Sequence, residues 1–168
     1  MRHCVIIHPL HLELETAWHK DGVITVEMSE VAQSEAAAGD HPMRKSKAYE
    51  YVFTETLAST SGEKKRLQEI EGILFPTGAQ SENERNDVWI VFNAIKYEAI
   101  LITNDGGSKR QPGGILGNRD ALRKIGCEIL TDAEAVEVVQ ELILKRNARV
   151  RRQCERSGEP LPHWVGKD

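Results

Sequence analysis

Asp87-Val-Trp-Ile-Val-Phe-Asn-Ala-Ile-Lys-Tyr-Glu-Ala-Ile-Leu-Ile-Thr-Asn-Asp105 is the stretch that decides how this chain folds. An apolar face at helical spacing runs from Val88 to Ile95, and the unbroken run Ala99-Ile-Leu-Ile102 reads as a buried strand. From Asp87 to the helix end is roughly 11 residues at about 1.5 Å each, about 17 Å outward. The strand returns over about 6 residues at about 3.3 Å each, roughly 20 Å. The two lengths nearly cancel. Asp87 and Asp105 are therefore expected at the same edge of a sheet, beyond a strand's carboxyl end, where open α/β folds bind ligands.

Working outward, Ser81-Glu-Asn-Glu84 fits a capping box at the start of the Asp87 helix. Gly72-Ile-Leu-Phe-Pro76 reads as a short strand ending at the proline. Val5-Ile-Ile7 reads as a first buried strand, followed by a helix through Leu10, Leu14 and Trp18. After the Asp21-Gly22 turn, Val23-Ile-Thr-Val26 reads as a second strand. Ser29 to Ala38 is expected to be helical and stopped by Gly39. A further helix carries Tyr49, Val52, Phe53 and Leu57 and is broken by Ser59-Thr-Ser-Gly62. Beyond Asp105 come the glycine-rich, basic loop Gly106 to Gly114, a helix over Arg119–Ile125, a strand Cys127–Leu130 and a helix Asp132–Leu144. Strands alternate with helices almost throughout, which argues for an α/β fold with a mainly parallel sheet.

At 168 residues the chain suits one domain with a sizeable core, here residues 1–144. Hydrophobic residues at 40% and charged residues at 29% exclude a disordered chain. No apolar stretch approaches the ~20 residues that span a bilayer, so no membrane role is expected. The N-terminal apolar run is too short for a secretory signal. Cys4, Cys127 and Cys154 lack metal-ligand spacing and leave one thiol unpaired, so reduced thiols in a cytoplasmic protein are the simpler reading. Net charge is −4. In the C-terminal segment, Lys145, Arg146, Arg149, Arg151, Arg152, Arg156 and Lys167 outnumber Glu141, Glu155, Glu159 and Asp168. An acidic body with a basic tail, 145–168, suits either a polyanion or acidic partner or a solvated helix. The end of that tail, Pro160-Leu-Pro-His-Trp164, is expected to dock back on the domain or on a second subunit.

Asp87 stands in line with Ile90, Val91 and Ala94, which places its carboxylate at the rim of the core. The competing roles are structural: a helix-start acid for Asp87 and a turn residue for Asp105. Two converging carboxylates repel unless a cation or basic group lies between them, and Lys109 and Arg110 are the basic candidates. Oxygen ligands without a Cys/His framework suit Mg²⁺ or Mn²⁺, which can activate water and offset charge on a phosphodiester. Asn118 and Asp120 are expected to cap the helix containing Leu122. Gly113-Gly114 is not a phosphate-binding fingerprint, although Lys109 and Arg110 could meet a nucleic-acid backbone.

The Asp87-to-Asp105 segment resembles the second half of a PIN domain, in which an acidic residue opens a helix and the next strand ends in Thr-x-Asp, here Thr103-Asn104-Asp105. Met28-Ser29 followed by Glu35 and Ala36-Ala-Ala-Gly39 is similar to that family's second strand and acidic helix, with Glu35 (or else Glu30) as the acidic residue. The resemblance spans roughly residues 3–143 and is specific in the Asp87–Asp105 part. It implies a single-domain, three-layer α/β/α architecture and a metal site of Glu35, Asp87 and Asp105. The family pattern opens with an aspartate after the first strand, and this chain has His8 there. Imidazole can ligate a divalent metal but suits Mn²⁺ better than Mg²⁺. His11, Glu13 and Glu15 are the nearby residues that could supplement it.

The resemblance implies a metal-dependent endoribonuclease with RNA as its partner. A toxin-type nuclease checked by an antitoxin-like protein is one biology it suggests, and a homodimer is compatible with it. The alternative implied by His8 is a degenerate PIN-fold protein acting as an RNA-binding or interaction module. A third reading is an unrelated α/β protein that binds a small phosphorylated ligand at the same edge.

Overall fold

The fold is known from a computed structural model, which describes residues 3–6, 24–38, 42, 46, 49, 52–54, 57–107 and 111–167. Among these, five strands form one sheet: β1 His3–Ile6, β2 Thr25–Ser29, β3 Val52–Thr54, β4 Ile100–Ile102 and β5 Glu128–Leu130. Their order is β3-β2-β1-β4-β5, and every neighbouring pair is parallel. The helices are α1 Glu30–Ala38, α2 Ser61–Leu74, α3 Glu82–Lys96, the single turn α4 Gly114–Gly117, α5 Arg119–Lys124 and the long α6 Asp132–Ser157. No described helix is long and apolar enough to cross a membrane.

Strands covered on both faces must be apolar in both directions, and β4 (Ile100-Leu101-Ile102) is buried throughout. Met28, Leu101 and Ile129 join one cluster with Ala32 of α1, Ile70 and Leu74 of α2, Ile90 and Val91 of α3, and Leu122 of α5. Ile24, Val26, Ile100 and Ile102 join a second cluster with Ala135, Val139 and Ile143 of α6. The three long helices α2, α3 and α6 each begin in a complete capping box: Thr60 with Glu63, Ser81 with Glu84, and Thr131 with Glu134. Each N-cap side chain is worth about 1 kcal/mol. The Ser81–Glu84 signal is thus where the sequence puts it.

Several elements differ from their expected form. Val52-Phe53-Thr54 is not helical; it pairs as β3 with Glu27, Met28 and Ser29 of β2. Tyr49, Val52, Phe53 and Leu57 mimic a helical period, but the run is β-branched and aromatic and a parallel neighbour was waiting for it. Gly72-Ile-Leu is not a strand but the last turn of α2. The helical period that claims it, Leu67, Ile70, Ile73 and Leu74, begins more than a turn upstream. Ser59–Gly62 accordingly starts a helix instead of breaking one. Strand β2 lies two to three residues later than Val23–Val26. The expected helix through Leu10, Leu14 and Trp18 and its neighbours, and the stop at Gly39, lie outside the described residues.

Helix α6 runs unbroken through Leu144 and Lys145 to Ser157 and ends where Gly158 takes φ of 72°. The tail then docks back: the Arg146 guanidinium lies 4.5 Å from the Trp164 ring centre and Val165 is buried. Trp164 is thus seated on Arg146, which itself lies within the 145–168 tail and not in the domain or a second subunit where its docking was expected.

Leu101 is fully buried in the sheet and Leu144 is 68% exposed on α6. Leu101→Ala should cost about 2–5 kcal/mol in urea unfolding, whereas Leu144→Ala should stay within about 0.5 kcal/mol of the parent. Equal effects would contradict this core.

Candidate functional site

With all strands parallel, their carboxyl ends share one edge. The chain leaves β1 for β2 on one side and later returns to β4 on the other, so the β1–β4 boundary is a topological switch point, where such sheets open a crevice. Ser29 ends β2 fully buried, and its Oγ accepts the Ala32 N–H at 3.2 Å, turning the chain directly into α1. Glu35 follows on α1. Its Oε1 accepts from Nδ2 of Asn86 at 2.8 Å, which ties α1 to α3 beside Asp87.

Asp87 lies half-buried in α3. Burial pushes its carboxyl up to about 7, and the charges of Asp105, Glu35 and Glu84 push it the same way. All three predicted carboxylates therefore share one electrostatic neighbourhood. Glu84 joins them while also closing the capping box of α3 through the Ser81 N–H at 3.0 Å. Among the described residues no basic group pairs with the Asp87 carboxylate.

Asp105 organises the loop behind it. Its N–H donates to Thr103 Oγ1 at 3.1 Å, Oδ1 accepts from the Gly107 N–H at 3.1 Å, and Oδ2 accepts from the Ile115 N–H at 2.9 Å. Each oxygen keeps a second lone pair for another partner. The glycines of the loop are explained by this packing. A Cβ on Gly114, where φ is +57°, would sit 2.4 Å from Asp105 Oδ2, and one on Gly107 would sit 2.3 Å from the Gln111 carbonyl.

Asn118 takes the N-cap place of α5 that the sequence suggested, whereas Asp120 lies inside the helix and does not cap it. Asn118 makes no capping bond there; its Nδ2 donates back to the Gly114 carbonyl at 2.8 Å. The exposed Asp120 faces Arg123 at 3.4 Å. The amide therefore secures the turn that holds Asp105. His8, His11, Glu13, Glu15, Lys109 and Arg110 lie outside the described residues. Asn86 escaped sequence reading because a single amide within Ser81-Glu-Asn-Glu-Arg-Asn-Asp87 carries no periodic signal. Glu84 was legible only as a cap.

Among the described residues, no three His, Cys, Asp or Glu side chains form a ready metal-holding group. No protein-family model matches the chain, and no curated protein matches it.

The proton on Asp87 leads to a pH test. A folded value near 7, above the ordinary 3.8, means the native state holds this proton more tightly than the unfolded chain. The stability this contributes is complete below about pH 4 and is lost as pH rises through about 7. Asp87→Asn keeps the shape without the charge. Denaturant titrations should find variant and parent alike near pH 4, with the variant the more stable of the two near pH 8. Parallel pH profiles would show that Asp87 carries no such burden.

Proposed function

We propose that this protein is a metal-dependent endoribonuclease of the PIN type. The observation that carries the proposal is the charge field at Asp87: carboxylates of Asp105, Glu35 and Glu84 crowd a half-buried acid at the carboxyl edge, and no described base pairs with Asp87 itself. A three-layer PIN-type arrangement is part of this reading, supported by the parallel order β3-β2-β1-β4-β5 and by helices packed on both faces. So is a cytoplasmic, toxin-type role with an antitoxin-like partner, for which the acidic switch-point edge is the shared premise.

The donor set fits Mg²⁺ or Mn²⁺, since Mg²⁺ is usually held by one or two carboxylates completed by water and substrate phosphate, not by an all-protein cage. Asp87 and Asp105, with Glu35, would hold the ion; once bound it supplies positive charge against a phosphodiester oxygen and acidifies water. The chain's own groups do the rest. The loop amides of Gly107 and Ile115 fix the Asp105 carboxylate before any ligand arrives. Asn86 orients Glu35 through Oε1 and leaves Oε2 as its oxygen for the ion. As water adds to phosphorus and gives up its proton to solvent, one P–O ester bond breaks and the departing oxygen is protonated from solvent.

His8, where an aspartate opens the PIN pattern, favours a second reading. In it the same edge binds RNA without cutting it.

With Mn²⁺ and a single-stranded RNA, cleavage should fall at least about 10²-fold in Asp87→Asn and in Asp105→Asn. Asn86→Ala, which only frees Glu35, should cost about 10–100-fold in metal affinity. Mn²⁺ should also raise the parent's melting temperature but not that of Asp87→Asn. Absence of both cleavage and metal-dependent stabilisation would sink the enzyme. Stabilisation without cleavage, with cleavage gained by His8→Asp, would establish the degenerate site.

A further inference from the structure

The second half of α6 does something the acidic edge does not account for. Helix α6, N-capped by Thr131 just past the carboxyl end of β5, packs Ala135, Val139 and Ile143 on Ile24, Val26, Ile100 and Ile102, so from the carboxyl edge it must cross the sheet toward the other end. Its buried positions are Ala135, Val139, Ile143 and Asn147, and none follows. From Asp132 to Arg152 is about 30 Å of helix, so the distal turns overrun the sheet at the end opposite Asp87 and Asp105. Arg149, Arg152 and Arg156 lie there on one face, all exposed, about 4.5 and 6 Å apart along the axis.

Their neighbours are already engaged. Lys145 Nζ meets Glu141 at 2.7 Å, and Arg146 lies over Trp164 while donating to Asn147 Oδ1. No described carboxylate pairs with Arg149, Arg152 or Arg156. The space between these side chains forms an open cleft of about 420 Å³ lined by Arg149, Arg152, Gln153, Arg156 and Ser157. A second, of about 330 Å³, continues it toward Lys145.

The chemistry of the stripe selects its occupant. Three unpaired guanidiniums in a row offer planar forks matched to phosphate oxygens. Charged and polar side chains line the larger cleft throughout, and the half-exposed Leu142 enters only the smaller one. We propose that Arg149, Arg152 and Arg156 form a docking surface for the phosphate backbone of single-stranded RNA, remote from the acidic edge. The proposal takes RNA as the ligand from the nuclease reading but does not need cleavage. It supplies what an acidic body lacks, a place where a polyanion is attracted instead of repelled.

The test is fluorescence anisotropy of a labelled polyuridine oligonucleotide with the full chain, in EDTA so that nothing is cut. Neutralising three phosphate contacts in Arg149→Gln/Arg152→Gln/Arg156→Gln should reduce the slope of log K against log salt by about 2. At low salt the triple variant should bind at least about tenfold more weakly. Arg66→Gln on α2, an exposed guanidinium outside the stripe, should bind like the parent. An unchanged slope in the triple variant, or no binding by the parent, overturns the proposal. Displacement of the RNA by polyglutamate at equal charge concentration also overturns it, in favour of an acidic protein partner. RNA that binds through the stripe yet is never cut with Mn²⁺ would remove the nuclease reading and leave this one standing.

Discussion

Parallel pairing of all five strands is the constraint from which the rest follows. Parallel neighbours cannot be joined by tight hairpins, so each connection must cross the sheet, and helices come to cover its faces. That coverage makes β4 apolar on both sides and divides the core into the Leu101 and Ile100–Ile102 clusters. The same polarity sends every strand's carboxyl end to one edge and every following helix back toward the other. Asp105 beyond β4 and Glu35 on the helix after β2 are therefore neighbours by topology, although 70 residues separate them in sequence. Helix α6 obeys the same rule in reverse. It leaves the acidic edge and carries Arg149, Arg152 and Arg156 to the far end of the molecule.

The acidic edge is assembled from groups with two tasks. Glu84 closes the capping box of α3 and adds charge at Asp87. Asp105 holds its loop through Gly107 and Ile115 and faces the same field. Sharing of this kind limits what substitution can do: the carboxylate of Asp105 cannot be removed without freeing two amide donors, and Gly114 cannot gain a side chain without displacing it. The Asn118 amide, bonded to the Gly114 carbonyl, makes that turn a single unit.

Much of this was legible in the Asp87–Asp105 stretch because it rests on lengths. A helix out and a strand back cancel whatever the tertiary details, and Ser81–Glu84 marks the helix start by a local hydrogen-bond pattern. Glu35 was legible through its place after β2. What failed was discrimination of short apolar runs. Val52–Thr54 and Gly72–Leu74 each suit strand or helix over three residues, and only the neighbours decide: β2 for the first, Leu67 and Ile70 for the second. The length of α6 was hidden because its distal turns have no apolar stripe to read; Ala135, Val139 and Ile143 carry the period and the arginines continue the helix without it. Asn86 and Asn118 act through single hydrogen bonds to residues on other turns or elements, which no spacing rule announces.

A half-buried carboxylate among other carboxylates can be relieved in three ways: by a proton, by a base or by a metal cation. No described base is present at Asp87. The proton serves, but burial and the neighbouring charges bring its loss close to the neutral range, where relief by a proton gives way to repulsion. A purely structural position would be better filled by asparagine, which has the same shape and no charge to desolvate. Keeping an acid there costs stability across the neutral range, a cost of the kind found at sites that bind charge. Asp105 sharpens the point, because its carboxylate is held in place by amides and cannot swing away from the repulsion. A bound cation, as proposed above, would turn both features, the charge at Asp87 and the rigid Asp105 carboxylate, into binding energy.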